Sequence, residues 1–176
     1  EVAEQIERSL QETRGHLRDA HHRVMAVATL QRQLASTASG EVALRPYFTD
    51  LCASIGASMI FDPALLSLTV ETDDSVTTAD RSVSMGLIVT ELVINSLKHA
   101  FPDDGAKGSI TVGFHTTGDG WSLIIADNGV GLPGDHATAK PGLGTGIVNA
   151  LAAQLSATVA VTAGDPGTIV SILSTR

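Results

Sequence analysis

Aromatic side chains make up only 3% of the 176 residues, so a folded core must be assembled from Val, Leu, Ile and Ala. Cysteine is nearly absent. Cys52 stands alone, which excludes an intrachain disulfide and a cysteine zinc cluster. With Leu51 and Ile55 beside it, Cys52 reads as a small buried apolar residue. Basic charge is short as well: 11 Lys and Arg against 19 Asp and Glu give a formal net charge of −8. Without a basic run to neutralise phosphates, nucleic acid is excluded as a main partner. No apolar stretch is long enough to span a bilayer and no secretory leader is recognisable, so no membrane contact by these residues is expected and the expected location is the cytoplasm. The chain opens without Met and inside a helical pattern, which reads as a piece of a longer protein whose membrane part, if any, lies outside it. Hydrophobic residues at 43% and charged residues at 17% then give a globular composition rather than a disordered one.

The first third is helical. A seam runs Ile6, Leu10, Thr13, Leu17, Ala20, Val24, Val27, Gln31 and Leu34 in alternating steps of four and three, the spacing of a coiled coil or antiparallel bundle. Ser36 to Gly40 is a break of small residues. A second stripe follows in Leu44, Phe48, Leu51, Ile55 and Met59, with Pro46 in its first turn, where the missing N–H costs nothing. Two amphipathic helices joined this way imply a helical hairpin over residues 1–63, ended by Asp62-Pro63. Neither helix can bury its stripe on the other alone, so a homodimeric four-helix bundle is expected.

Residues 64–176 change character. Leu66–Glu71 and a piece near Val76 read as strands around the Asp73-Asp74-Ser75 turn, and Ala79–Ala100 reads as a helix. Ile110, Val112 and Phe114 alternate, a turn at Thr117 to Gly120 leads to Trp121, Leu123 and Ile125, and Gly144–Leu155 reads as a helix. Val159–Val161 and Thr168–Leu173 form a closing hairpin. Such an order predicts an α+β sandwich, one mixed or antiparallel sheet with helices on one face.

The helix over Ala79–Ala100 carries an anomaly. It is mostly apolar, hence buried, yet Glu91, Asn95 and Lys98 fall within a narrow arc at 100° per residue. Buried polar groups need partners. A carboxylate and an amide oxygen one turn apart suit a hard cation such as Mg²⁺, and an ammonium further on suits phosphate oxygens. Two later stretches add to this: Asp127-Asn128-Gly129-Val130-Gly131-Leu132-Pro133 after a strand, and Gly142-Leu143-Gly144-Thr145-Gly146-Ile147-Val148 opening a helix.

Together the three stretches resemble the nucleotide-binding boxes of the GHKL ATPases, the superfamily of gyrase, MutL and the sensor histidine kinases, from about Leu66 to Arg176. The resemblance implies ATP and Mg²⁺, with Glu91 and Asn95 at the metal and Lys98 and His99 toward phosphates or ribose. Asp127 would read adenine, since a fixed carboxylate accepts from its exocyclic amine where guanine offers only a carbonyl. Gly129 and Gly131 would let the backbone turn beside the base. Gly142, Gly144 and Gly146 would bring a helix N-terminus to the phosphates, with the loop from Leu132 to Pro141 as a lid. Thr168 matches a threonine that helps bind adenine.

The helical hairpin resembles the dimerisation and phosphoacceptor element of a histidine kinase. His22-Arg23-Val24 is similar to the variant acceptor box of kinases related to the HWE group, and Glu91 to Pro102 matches the same subgroup. With Leu10, Leu17 and Val24 at heptad position a, His21 falls at e, beside the seam, and His22 at the outward f position. His22 is therefore the expected acceptor, with Glu91 or Asp19 as base. One departure stands out: Met25-Ala26 replaces the subgroup's Lys-Asn, which affects the balance of phosphorylation and dephosphorylation. The expected activity is autophosphorylation on His22 from ATP and transfer to an aspartate of a response-regulator receiver domain. The alternatives are a phosphatase or phosphotransfer protein of the same fold, and a GHKL ATPase without phosphohistidine.

Overall fold

The computed structural model describes residues 1–35, 40–102, 105, 107–131 and 143–175. Helix α1 spans Val2–Ala35, a short strand β1 Glu41–Ala43, and helix α2 Leu44–Met59. Strands β2 (Leu66–Thr72) and β3 (Val76–Thr78) precede the long helix α3 (Ala79–His99). The hairpin β4 (Gly108–Thr117) and β5 (Gly120–Asp127) follows, then α4 (Leu143–Gln154), β6 (Thr158–Ala163) and β7 (Thr168–Ser174).

Five strands form a mixed sheet in the order β2-β4-β5-β7-β6, where only β2 and β4 run parallel. Their connection passes through α3, as a parallel crossover requires. The sheet is not the only one. β1 pairs antiparallel with β3, Val42 opposite Thr77, in a two-stranded sheet that the sequence reading missed. Along β5 the buried residues are Trp121, Leu123, Ile125 and Asp127, every second position. Period-two alternation thus delivers Asp127 to the helix-covered face together with the apolar residues.

α2 is part of this layer. Leu44, Tyr47, Phe48, Leu51, Cys52 and Ile55 are buried in one continuous core with Met85, Ile88, Val89 and Val93 of α3 and the inner face of the sheet. Contact is close enough that a Cβ on Gly86 would lie 1.9 Å from the Tyr47 hydroxyl. Cys52 is buried as expected, and burial pushes its thiol up to about 12. The same core takes in Ala26 of α1, so a division at residue 63 or near residue 40 would cut it.

α1 meets the rest of the chain through a different face from the expected seam. His22, Ala26 and Thr29, spaced four and three apart, are buried, while Ile6, Leu10, Leu17 and Val24 stay exposed, Leu17 at 66%. The heptad arithmetic gave the angle between the two faces correctly but not which one the chain's own helices cover. No helix among the described residues is long and apolar enough to cross a membrane.

Candidate functional site

A cleft of about 420 Å³ opens where the C-terminal half of α3, the start of α4 and the paired strands β5, β7 and β6 converge. Its apolar walls come from Leu92, Val148, Val159, Val161 and Val170. Its polar groups include Asn95, Ser96 and His99 of α3, Asp127 of β5, Thr168 of β7, and Thr145 and Asn149 of α4. A mainly apolar cleft with a few fixed polar groups is what a flat heteroaromatic ligand with a polar tail needs.

Asp127 is the best-held of these. Its Oδ1 accepts from the backbone N–H of Gly129 at 3.1 Å and of Thr168 at 3.2 Å, and Ser96 Oγ donates to Oδ2 at 3.0 Å. Thr168 is its direct partner across the β5–β7 ladder. The ladder closes at Gly167, whose φ of +102° belongs to the region glycine favours. A Cβ there would lie 1.8 Å from the Asp127 carbonyl oxygen. Gly129 likewise packs on Ala100, where a Cβ would stand 2.2 Å from the carbonyl oxygen. These two glycines bring the Asp-Asn-Gly turn against the end of α3.

At the other end, Glu91 and Asn95 converge beneath the first turn of α4. A Cβ on Gly144 would lie 3.0 Å from Glu91 Oε2, 3.6 Å from Asn95 Nδ2 and 3.8 Å from its Oδ1. No group of three or more His, Cys, Asp or Glu side chains able to hold a metal occurs among the described residues. One carboxylate and one amide are nevertheless what Mg²⁺ takes from a protein when phosphates and water complete its octahedron. The residues therefore fit Mg²⁺ carried in with a nucleotide rather than an all-protein cage. The Oε1 of Glu91 is engaged: Arg23 Nε of α1 donates to it, and the bond raises the affinity of Arg23 for its proton.

Of the residues expected at the site, the cleft brings together Asn95, His99, Asp127, Gly131, Gly144 and Thr168. Lys98 is turned away: its Nζ donates to both carboxylate oxygens of Asp19 in α1, at 2.6 and 2.8 Å. Gly146 lies in the first turns of α4 outside the lining, and a Cβ there meets nothing within 4 Å. Gly142 and the expected lid from Leu132 to Pro141 lie outside the described residues. Sequence reasoning missed Ser96 and Asn149, and it gave Asp19 (a candidate base) and Arg23 (the acceptor box) other roles than the ion pairs they make with Lys98 and Glu91. Ser96 carried a signal, since a hydroxyl next to Asn95 on a buried helix must find a partner.

His22 contradicts its expected geometry. It is 2% exposed, it shares a 2.6 Å hydrogen bond with Ser58 Oγ of α2, and its Nδ1 has no hydrogen-bond partner among the described residues. Burial, and then the neighbouring His21, lower its pKa below the ordinary histidine value. His21 is the exposed one. Ala26, at the position where the acceptor box has an amide, is buried too, and the Tyr47 hydroxyl donates to its carbonyl oxygen at 3.4 Å. The face chosen for solvent is the packing face because α2 and α3 cover it, leaving the apolar seam outside.

Known proteins resemble this chain in sequence and in fold. Over 102 residues the chain is 38% identical to the blue-light-activated histidine kinase 2 of Erythrobacter litoralis, covering 57% of this chain and 28% of that protein. Over 80 residues it is 34% identical to the sensor histidine kinase PdtaS of Mycobacterium tuberculosis, covering 45% of this chain and 16% of that one. The chain thus spans well under a third of the curated relatives it matches. The structure superposes on the histidine kinase domain of the Erythrobacter litoralis EL346 blue-light-activated histidine kinase with a TM-score of 0.77 and 27% identity, covering 89% of this chain and 74% of that one. The fold also matches the Acinetobacter baumannii histidine kinase AdeS, with a TM-score of 0.64 at 16% identity over 96% of this chain and 82% of that one. The family described as "Histidine kinase-, DNA gyrase B-, and HSP90-like ATPase" matches residues 80–175, more than half of the chain, and with the Asp127 end and the Glu91–Asn95 end of one cleft both built, the chain belongs to that family of ATPases.

Proposed function

We propose that this chain is the catalytic, ATP-binding part of a sensor histidine kinase, a protein-histidine kinase that passes the γ-phosphoryl group of ATP to a histidine and from there to a response-regulator aspartate. The observation that carries the nucleotide reading is the fixed carboxylate of Asp127. Three hydrogen bonds hold it on the cleft floor, and an acceptor remains for the exocyclic amine of adenine. The valines of β6 and β7 flank the base. The first turn of α4, beginning at Leu143, supplies N–H groups toward the phosphates, and the glycines at 144 and 146 keep that turn open. Bound Mg²⁺ would neutralise charge on the transferring phosphoryl oxygens. Asn95 is its proposed ligand, with Glu91 available as ligand or base once Arg23 releases it.

The acceptor is a separate matter. In-line attack needs an imidazole at the γ-phosphoryl group, and His22 is buried between α1 and α2. His22, the proposed acceptor, is held out of reach in this packed position and becomes available when α1 moves off α2. Incubation of the chain with radiolabelled ATP and Mg²⁺ should label the parent and not His22→Ala; label that survives His22→Ala would move the acceptor to another histidine. Residue 26 is packed, so its departure from the acceptor box also bears on helix packing.

Three further points belong to the same reading. The catalytic unit includes α2, whose buried face belongs to its core. The exposed stripe Ile6, Leu10, Leu17 and Val24 suits a second copy of the chain, supporting a homodimer through α1. A receiver-domain partner implies a cytoplasmic setting. The direct test of the metal end is Asn95→Ala. Ala favours the helix at least as well, so the fold should persist. Mg²⁺-dependent nucleotide binding in a calorimetric titration should be lost, and unchanged affinity for ATP·Mg²⁺ would remove Asn95 from the metal.

A further inference from the structure

Two ion pairs join α1 to α3, and both take hold of residues that the nucleotide site needs. Asp19 receives Lys98 Nζ on both carboxylate oxygens, at 2.6 and 2.8 Å. One helical turn along α1, Arg23 Nε donates to Glu91 Oε1, while Glu91 Oε2 lies under the Gly144 turn beside Asn95. Lys98 is the cation expected at phosphate oxygens, and Glu91 the carboxylate expected at the metal or the acceptor proton. Each is already neutralised by α1. Among the described side chains of α1 those buried are His22, Ala26 and Thr29, while Leu10, Leu17 and Val24 face outward. The pairs are only partly shielded, with Lys98 32% and Arg23 29% exposed at the side chain, so incoming anions and cations can compete for them.

We propose that Asp19 and Arg23 form a latch by which docking of α1 on α3 and binding of nucleotide oppose each other. Phosphate oxygens compete with Asp19 for Lys98, and the metal competes with Arg23 for Glu91. By linkage the effect is reciprocal: a docked α1 weakens nucleotide binding by the factor by which nucleotide weakens docking. A signal that pulls α1 away therefore raises nucleotide affinity and frees Glu91 in one movement. This inference rests on the nucleotide reading above, and its test separates the two.

The test is calorimetric titration of the whole chain with a non-hydrolysable ATP analogue and Mg²⁺. Asp19→Asn, isosteric but uncharged, should bind about threefold to tenfold more tightly than the parent. Lys98→Ala should bind more weakly, and adding Asp19→Asn to it should bring no gain. Equal or weaker binding by Asp19→Asn while the parent binds normally, or the same gain without Lys98, overturns the latch and leaves the site standing. No binding by parent and Asp19→Asn alike, both folded by circular dichroism, overturns the nucleotide reading and the latch with it. A second measurement leaves the latch residues intact: spin labels at exposed positions 12 and 153 should move apart when the analogue and Mg²⁺ saturate the chain. An unchanged distance at saturation contradicts the proposal.

Discussion

Asp127→Asn is expected to weaken ATP binding roughly tenfold to a hundredfold and to erode the preference for ATP over GTP. The carboxylate presents only acceptors, whereas the amide would turn an N–H₂ toward either the adenine amine or the Gly129 and Thr168 N–H groups that Oδ1 now satisfies at 3.1 and 3.2 Å. The amide meets the adenine amine donor in one orientation and both backbone N–H groups in the other. An ionised acceptor typically contributes about 1.5–3 kcal/mol, which sets the expected range. The fold should survive, because the Ser96 hydroxyl can still donate to an amide oxygen and the β5–β7 ladder is untouched. The check is competitive titration with ATP and GTP. If the variant discriminates between them as strongly as the parent, another group reads the base.

Gly167→Val should cost more than any substitution of a lining side chain, and should remove binding by removing the site. A φ of +102° is strained for a β-branched residue, at about 1–3 kcal/mol. The new Cβ would also stand 1.8 Å from the Asp127 carbonyl oxygen and 2.7 Å from the Cα of Asn128, backbone atoms that cannot swing aside. Relief requires β7 to part from β5 where Thr168 faces Asp127, which breaks the Thr168 N–H bond to the carboxylate. A loss of about 4 kcal/mol or more is expected, with the thermal midpoint falling and nucleotide binding lost. Gly146→Ala is the control, since a Cβ there meets nothing within 4 Å; it should fold as the parent does. A Gly167→Val chain with the parent's melting temperature would show that the β5–β7 junction is not the constraint described.

The nucleotide end of the molecule was legible in sequence because its signals are local. Strand alternation at Trp121, Leu123 and Ile125 points Asp127 inward, the Asp-Asn-Gly turn ends the strand, and the spacing of Glu91 and Asn95 needs only helical geometry. The helical end was legible in outline and misread in detail. The stripe of α2 at four, three and four residues suggested half of a two-helix hairpin. Tyr47 and Cys52 widen its buried arc beyond a hairpin seam, and that width is what inserts α2 into the core beside α3. In α1 the long apolar residues were given the intrachain contact, but small side chains allow closer approach, and Ala26 and Thr29 sit on the face that α2 and α3 cover. His22 went to solvent in the reading and to the core in the structure for that reason alone. Strand β1 is three residues long, too short for period two to register. The pairs Asp19–Lys98 and Arg23–Glu91 join positions 79 and 68 residues apart. No local pattern could reveal them, although a buried Glu91 required some such partner.

The measurement that bears most directly on the central claim is a calorimetric titration of the parent chain with ATP and GTP at fixed Mg²⁺, repeated with EDTA. One ATP per chain, Mg²⁺-dependent and clearly preferred over GTP, is the result that a cleft floored by Asp127 and closed by Asn95 predicts. No saturable binding, or ATP and GTP bound alike, would contradict it.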